Sequence, residues 1–174
     1  MKQKIATYDL MMVGLVAAAY IVLTLVLAPL SFGMGIRISE GLNFLALYNK
    51  RHIYGITLGV FVVNYFSYGV SDMVVGSLSS LVFLLLGKYL AEWLVDDRRI
   101  FRHLKVDPMI LKYLVLGILF SLSMFTIAIL VVVLGAGWEA FWVLYLQMAV
   151  TEAIGLALGG IILYLVSQRV NLSK

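Results

Sequence analysis

Arg37, Ser39, Glu40 and Asn43 bring a guanidinium, a hydroxyl, a carboxylate and an amide into seven consecutive positions. On a helix Arg37 and Glu40, three apart, are neighbours, and so are Ser39 and Asn43, four apart. Asn64, Asp72, Gln147, Thr151 and Glu152 add further groups of the same kinds. A carboxylate accepts adjacent N–H donors bidentately, and an arginine or amide N–H serves a carbonyl. These residues can hold a ligand, but they form no reacting set. The chain has no G-x-x-x-x-G-K-[ST], no H-E-x-x-H and no G-x-S-x-G. His52 and His103 have no acid–base partners around them, and the absence of cysteine excludes disulfides and thiol chemistry. The pattern implies a non-enzyme without a cofactor or a metal.

The elements that position these groups follow from composition. Of 174 residues, 63% are hydrophobic and 13% charged, against about 25% charged in an ordinary soluble domain. That excludes a soluble globular enzyme, a disordered chain and a nucleic-acid-binding domain. It makes the bilayer the expected solvent. At about 20 residues per crossing, six spans fit, with little left for soluble domains. The expected spans are residues 8–28, 38–48, 53–66, 72–95, 109–134 and 138–167, in one domain over 1–174. Lys2 and Lys4 precede an apolar run that stays uncharged from Leu10 to Ile36, too long for the h-region of a cleaved signal peptide. The second span is short and polar, and Asn49-Lys50-Arg51 closes it. Residues 96–108 are the one clearly aqueous stretch, and Gly135-Ala136-Gly137 reads as a tight turn.

Charge orients these spans. With the N-terminus inside, Lys2, Lys4, Lys50, Arg51, Lys88, Arg98, Arg99, Arg102, Lys105, Lys112, Arg169 and Lys174 fall on the inner side. Of the 13 basic residues only Arg37 then lies outside. This bias predicts both termini in the cytoplasm, and the net charge of +4 reads as topology rather than as a phosphate-binding patch.

A charged side chain at mid-bilayer costs something like 2.5–3.5 kcal/mol on insertion scales, so acids at depth need a reason. For Arg37 and Glu40 the reason is either an ion pair capping a short helix or the wall of a ligand pocket. Asp72 starts a span, where an acid favours the helix dipole, and it can also face a ligand. Glu139, beside Trp138, reads as a cap. Glu152 is mid-span, near Gln147 and Thr151, and reads as functional. Trp138, Trp142 and Tyr145, like Tyr65, Phe66 and Tyr68, suit the aromatic belt. Together they would also offer faces to a flat ring. Small residues let helices approach closely in lipid. Ala149, Ala153 and Ala157, with Gly155 and Gly159 beside them, are expected to pack within the chain. Gly14 and Ala18 suit either internal packing or docking to another membrane protein.

A family resemblance rests on these residues. Pro29-Leu30-Ser31-Phe32-Gly33, followed by Arg37-Ile38-Ser39-Glu40-Gly41-Leu42-Asn43, resembles the R-x-S-E-A-L-N signature of the QueT family. The likeness continues through Leu58, Gly59 and Asn64, then Asp72, Gly76, Ser77 and Leu78, and the helix of Glu152. Gly41 stands where Ala is usual, and Phe44-Leu45-Ala46 replaces a Leu-Pro step. The resemblance implies the substrate-binding S component of an energy-coupling factor (ECF) transporter, an all-α bundle of six transmembrane helices. Its implied ligand is a queuosine precursor, a 7-deazaguanine such as queuine or its aminomethyl precursor. Such a component binds its ligand from outside. It then topples in the membrane against a membrane coupling subunit carrying two cytoplasmic ATPases. The implied ligand site is Arg37, Glu40, Asn43, Asn64, Asp72, Gln147 and Glu152, and Gly14 and Ala18 become the docking face for the coupling subunit. A guanine-like edge suits a carboxylate plus an arginine or amide, and a cationic aminomethyl arm wants a second carboxylate. Which carboxylate meets which edge stays open. So do an S component for riboflavin, thiamine or a pyrimidine precursor, a stand-alone carrier, and a non-transporting assembly factor.

Overall fold

The computed structural model describes residues 7–28, 35–97 and 105–173. Lys2, Lys4, Pro29-Leu30-Ser31-Phe32-Gly33, Arg98, Arg99, Arg102, His103 and Lys174 lie outside them. The described residues are mostly helical, with no strand among them. The first helix, α1, is Thr7–Leu27. A 3-10 helix, Ile38–Phe44, runs into the short α2, Leu45–Tyr48. Helix α3 is Arg51–Tyr68, and α4 is Val70–Glu92, extended by a π turn at Trp93–Asp97. Helix α5 is Pro108–Leu122. It is followed by α6, Phe125–Val131, and a π turn, Val132–Ala136. One 3-10 turn, Trp138–Ala140, opens α7, Phe141–Ser167.

Among the described residues four stretches are long and apolar enough to cross a membrane: Thr7–Leu27, Val70–Asp97, Pro108–Ala136 and Trp138–Ser167. Helix α3 has 18 residues, about 27 Å at 1.5 Å per residue. It is less apolar, carrying Arg51, His52, Asn64 and three tyrosines, because so much of it faces protein rather than lipid. Its buried positions include His52, Ile53, Gly55, Ile56, Gly59, Val60, Val63 and Asn64.

Polar contacts at the two ends fix the direction of every segment. Arg51 at the start of α3 pairs with Asp9 at the start of α1. Asn49 donates to the Ser173 carbonyl at 3.1 Å, and Tyr164 near the end of α7 donates to Asp107 at 2.7 Å. Lys112 on α5 pairs with Asp96 at 2.6 Å. At the opposite end Arg37 donates to Tyr68, the last residue of α3, at 2.9 Å. The 3-10 segment and α2 therefore run from one end to the other, antiparallel to α1 and α3. The described residues make six passes, and the start of α1 and the last described residues share one end. Lys50, Arg51, Lys105, Lys112 and Arg169 gather toward that end; Arg37 stands at the other.

The passes close into a ring in which α1 packs on α3, α3 on α4, α4 on α5 and α5 on α7. Helix α7 packs on the 3-10 segment, which returns to α1. Glycines make the closest joints. A Cβ at Gly55 would lie 2.8 Å from the Val13 carbonyl, and one at Gly59 2.8 Å from Tyr20, so α3 rides tightly on α1. Gly41 and Gly159 meet backbone to backbone, and a Cβ at Gly155 would lie 2.6 Å from the Arg37 carbonyl. The polar 3-10 segment thus lies directly on the backbone of α7. The packing expected from the small residues of the last span falls to its glycines. Ala149, Ala153 and Ala157 instead line an apolar groove between α5 and α7.

Two local expectations change. The 109–134 span is helical but broken at Ser123 and Met124. Ser121, Ser123 and Thr126 hydroxyls donate to the carbonyls of Gly117, Phe120 and Ser123 at 2.8, 2.6 and 2.9 Å, a competition known to bend helices. The 38–48 pass is 3-10 rather than α over its first seven residues. In that geometry side chains three apart eclipse, so Asn43 pairs with Glu40 and not with Ser39. Ser39 turns instead to Thr24 on α1, 2.7 Å away.

Candidate ligand-binding site

A cavity of about 530 Å³ lies among α1, the 3-10 segment, α3, α4, α5, α6 and α7. Its upper wall holds Arg37, Tyr68 and Asp72 at the end opposite the described termini. Its floor reaches Tyr20, Ser80, Phe120 and Glu152. Ligand pockets of about 300–1,000 Å³ with a few convergent polar groups are typical of small-molecule sites.

The cavity wall is built around Glu40, which is only 4% exposed. Tyr20 donates to Glu40 Oε1 at 2.7 Å, and Asn43 Nδ2 donates to Oε2 at 2.9 Å. Arg37 Nη1 lies 3.7 Å from Oε1, and Nη2 is the donor to Tyr68. The Arg37 guanidinium also sits 5.3 Å from the Tyr68 ring centroid, within reach of a cation–π contact. Arg37 and Glu40 pair and both line the cavity, and the Arg37 side chain makes no cap hydrogen bond to the 3-10 helix.

Glu152 comes to Glu40 by helical spacing on α7. Residues 152, 155 and 159 share one face, and Gly155 and Gly159 are the positions on which the 3-10 segment lies. The Glu152 carboxylate interacts with both Glu40 and Arg37. Its Oε1 is buried with no hydrogen-bond partner among the described residues, and the same is true of Asn64 Oδ1 and Asn43 Oδ1. Across the cavity Asn64 Nδ2 reaches the Asp72 carbonyl at 3.4 Å, with Gly76 hard against its amide. Asp72 occupies the first turn of α4, as a dipole-favouring acid would, and lines the cavity as well. Gln147 and Thr151 complete the α7 wall, and the Thr151 hydroxyl returns to the Gln147 carbonyl at 3.0 Å.

Arg37, Glu40, Asn64, Asp72, Gln147 and Glu152 therefore share one cavity, with Asn43 supporting Glu40 from behind. Glu139 lies outside it, in the first turn of Trp138–Ala140. Among the aromatics, Trp138, Trp142, Tyr65 and Phe66 are 50–72% exposed and belong to the rim. Tyr20 and Phe120 are buried in the cavity wall, and Tyr68, largely exposed, lines the cavity at its edge. Tyr20 and the hydroxyls Ser79 and Ser80 were not expected there. Tyr20 looks like any span tyrosine until the 3-10 segment brings Glu40 against it. Ser79 and Ser80 lie in an ordinary apolar run.

Gly14 and Ala18 are exposed on the outer face of α1, and a Cβ at Gly14 would meet nothing within 4 Å. The opposite face, with Val16, Ala17, Tyr20 and Thr24, is the buried one.

Comparison with known proteins adds a family and a relative. The family model described as QueT transporter matches residues 10–168. The chain is 34% identical over 175 aligned residues to the queuosine precursor transporter QueT of Lactococcus lactis subsp. cremoris, covering 99% of each chain. No solved structure matches.

Proposed function

The chain belongs to the QueT transporter family, and on that premise we propose that it is the substrate-binding S component of an ECF-type importer for a queuosine precursor. It is a binding and transport protein rather than an enzyme. It takes a 7-deazaguanine, such as 7-aminomethyl-7-deazaguanine or queuine, from outside the plasma membrane. A membrane coupling subunit and two cytoplasmic ATPases then drive release inward. Both termini face the cytoplasm, a reading supported by the basic residues gathered at their end. The exposed small-residue face at Gly14 and Ala18 suits the coupling subunit, because nothing among the described residues lies within 4 Å of a Cβ placed at Gly14.

The observation that carries the substrate reading is the 530 Å³ cavity itself. It sets carboxylates, amides and one guanidinium around a space of the right size for a heteroaromatic bicycle. A guanine-like edge presents adjacent N–H donors and a carbonyl, which a carboxylate and an arginine or amide N–H match. Tyr68, Tyr20 and Phe120 supply aromatic surface. The test is calorimetric titration of the solubilised chain with queuine, its aminomethyl precursor, guanine, riboflavin and thiamine. Saturable binding of a deazaguanine alone is expected. Binding of riboflavin or thiamine without any deazaguanine would reassign the substrate. Uptake by the chain alone in liposomes, without coupling subunit and ATPases, would overturn the S-component reading.

A further inference from the structure

The charges facing the cavity do not balance. Its lining holds three carboxylates, Glu40, Asp72 and Glu152, against one guanidinium, Arg37. Residues 29–34, which join the described residues 28 and 35 in the chain, carry no charge. The three acids are not equivalent. Glu40 is answered by Tyr20, Asn43 and Arg37. Asp72 sits in the first turn of α4, where the helix N-terminus offers partial positive charge. Glu152 is mid-helix on α7, eleven residues past Phe141, where α7 begins, and gains nothing from the dipole, which fades within the first turn. Its carboxyl otherwise meets the Glu40 carboxyl, its Oε1 is buried without a partner among the described residues, and Arg37 already serves Glu40 and Tyr68. A buried acceptor in that condition is costly to leave unmade.

We propose that Glu152 is the counter-ion for a protonated amine on the ligand, so that the cavity selects a cationic side arm over a neutral one of similar size. This rests on the deazaguanine reading above and adds the orientation: the arm points to Glu152, and the ring edge toward Asn64 and Asp72. The ligand class is a flat heteroaromatic carrying an alkylammonium group. No bond is made or broken. The ligand's N⁺–H supplies the donor that Glu152 Oε1 lacks, in a charge-assisted hydrogen bond.

The experiment titrates the full chain, in detergent or nanodiscs, with three probes: 7-aminomethyl-7-deazaguanine, 7-methyl-7-deazaguanine and 7-cyano-7-deazaguanine. The wild type should prefer the aminomethyl compound by about 10–100-fold, the range of a hydrogen bond to a charged group. In Glu152→Gln the affinity for the aminomethyl compound should fall most, so that the preference drops to about threefold or less. The thermal unfolding midpoint of the variant, measured on the same sample, reports that it is folded. Equal affinity of the wild type for all three overturns the counter-ion and leaves the deazaguanine reading standing. Full retention of the preference in Glu152→Gln also overturns it. Failure to bind any of the three overturns both.

Discussion

Two hollows of nearly equal size sit on opposite faces of α7. One is the polar cavity of about 530 Å³; the other is the groove of about 570 Å³ between α5 and α7. No charged residue lines the groove. Its hydroxyls are already answered: Ser121 by the Gly117 carbonyl at 2.8 Å, Tyr113 by Tyr48 at 3.1 Å, and Tyr164 by Asp107 at 2.7 Å. The cavity keeps Asn64 Oδ1 and Glu152 Oε1 without partners among the described residues. Volume is therefore no guide to function here. The hollow with unanswered polar atoms has something to recognise, whereas the groove offers area alone.

The strongest way to break this contrast is to disturb the joint that builds the cavity. At Gly159 a Cβ would run into the Ile38 carbonyl and the backbone of Gly41, and backbone cannot rotate away. Gly159→Ala should cost about 3 kcal/mol, the upper end of ordinary overpacking, and weaken ligand binding about tenfold or more. Thermal unfolding and titration of the same sample check both. Normal binding by this variant would mean that the 3-10 segment does not need its seat on α7 to present Arg37 and Glu40.

Next in size is Glu40→Gln. The carboxylate accepts from Tyr20 and from Asn43, one oxygen each. A carboxamide has one acceptor oxygen, so its NH₂ must face one of those donors. The variant should lose about 1–3 kcal/mol of stability and bind ligand about 10–100-fold more weakly. Titration after a thermal-shift check decides it. A chain that binds normally would move the site away from the 3-10 segment.

Much of this was legible in the residues. Charge and apolar runs placed six passes because lipid punishes exceptions to hydropathy severely, and for the same reason each acid at depth marked the cavity. What was not legible depends on backbone geometry. Nothing in Ile38–Phe44 announces a 3-10 helix, yet that choice exchanges Ser39 for Glu40 as the partner of Asn43. The break at Ser123 and Met124 lies in an apolar run whose hydroxyls reveal their bending role only once their carbonyl partners are placed. Tyr20 was indistinguishable from a belt or packing tyrosine, because its role is set by a residue twenty positions away. Gly55 and Gly59, four apart on α3, drew no notice as residue types, and only the closeness of α1 to α3 shows what they do.

A smaller effect concerns the polar end of the groove. Asp107 caps α5 by accepting from the Met109 N–H at 2.8 Å and also accepts from Tyr164. Both bonds, the one from Tyr164 most, hold its carboxyl below the usual carboxylate value. A group lowered on folding contributes stability above its unfolded value, about 3.9. That contribution is lost as pH falls through the lower folded value. Asp107→Ala should cost about 1 kcal/mol, as for a lost N-cap, above pH 4–5. The cost should vanish at lower pH, and ligand affinity at neutral pH should stay unchanged. Unfolding midpoints across pH 2–7 test it. A cost that persists to pH 2 would show that packing, not charge, is at stake.

The smallest expected effect tests the contrast most directly. Ala157 lines the groove, points away from the cavity and is exposed. Ala157→Leu fills part of the groove with three added carbons and touches no polar atom of the ligand site. A substitution away from special features changes stability by no more than about 0.5 kcal/mol, and ligand affinity should stay within about twofold. The comparison is sharp because Ala157 is only two residues from Gly155 and Gly159, where α7 carries the 3-10 segment. Consecutive helical positions are about 100° apart, so two residues suffice to change the hollow that a side chain enters. If Ala157→Leu weakened binding as much as Glu40→Gln, the two faces of α7 would be mechanically coupled. Filling the groove would then shift the helix that carries Glu152.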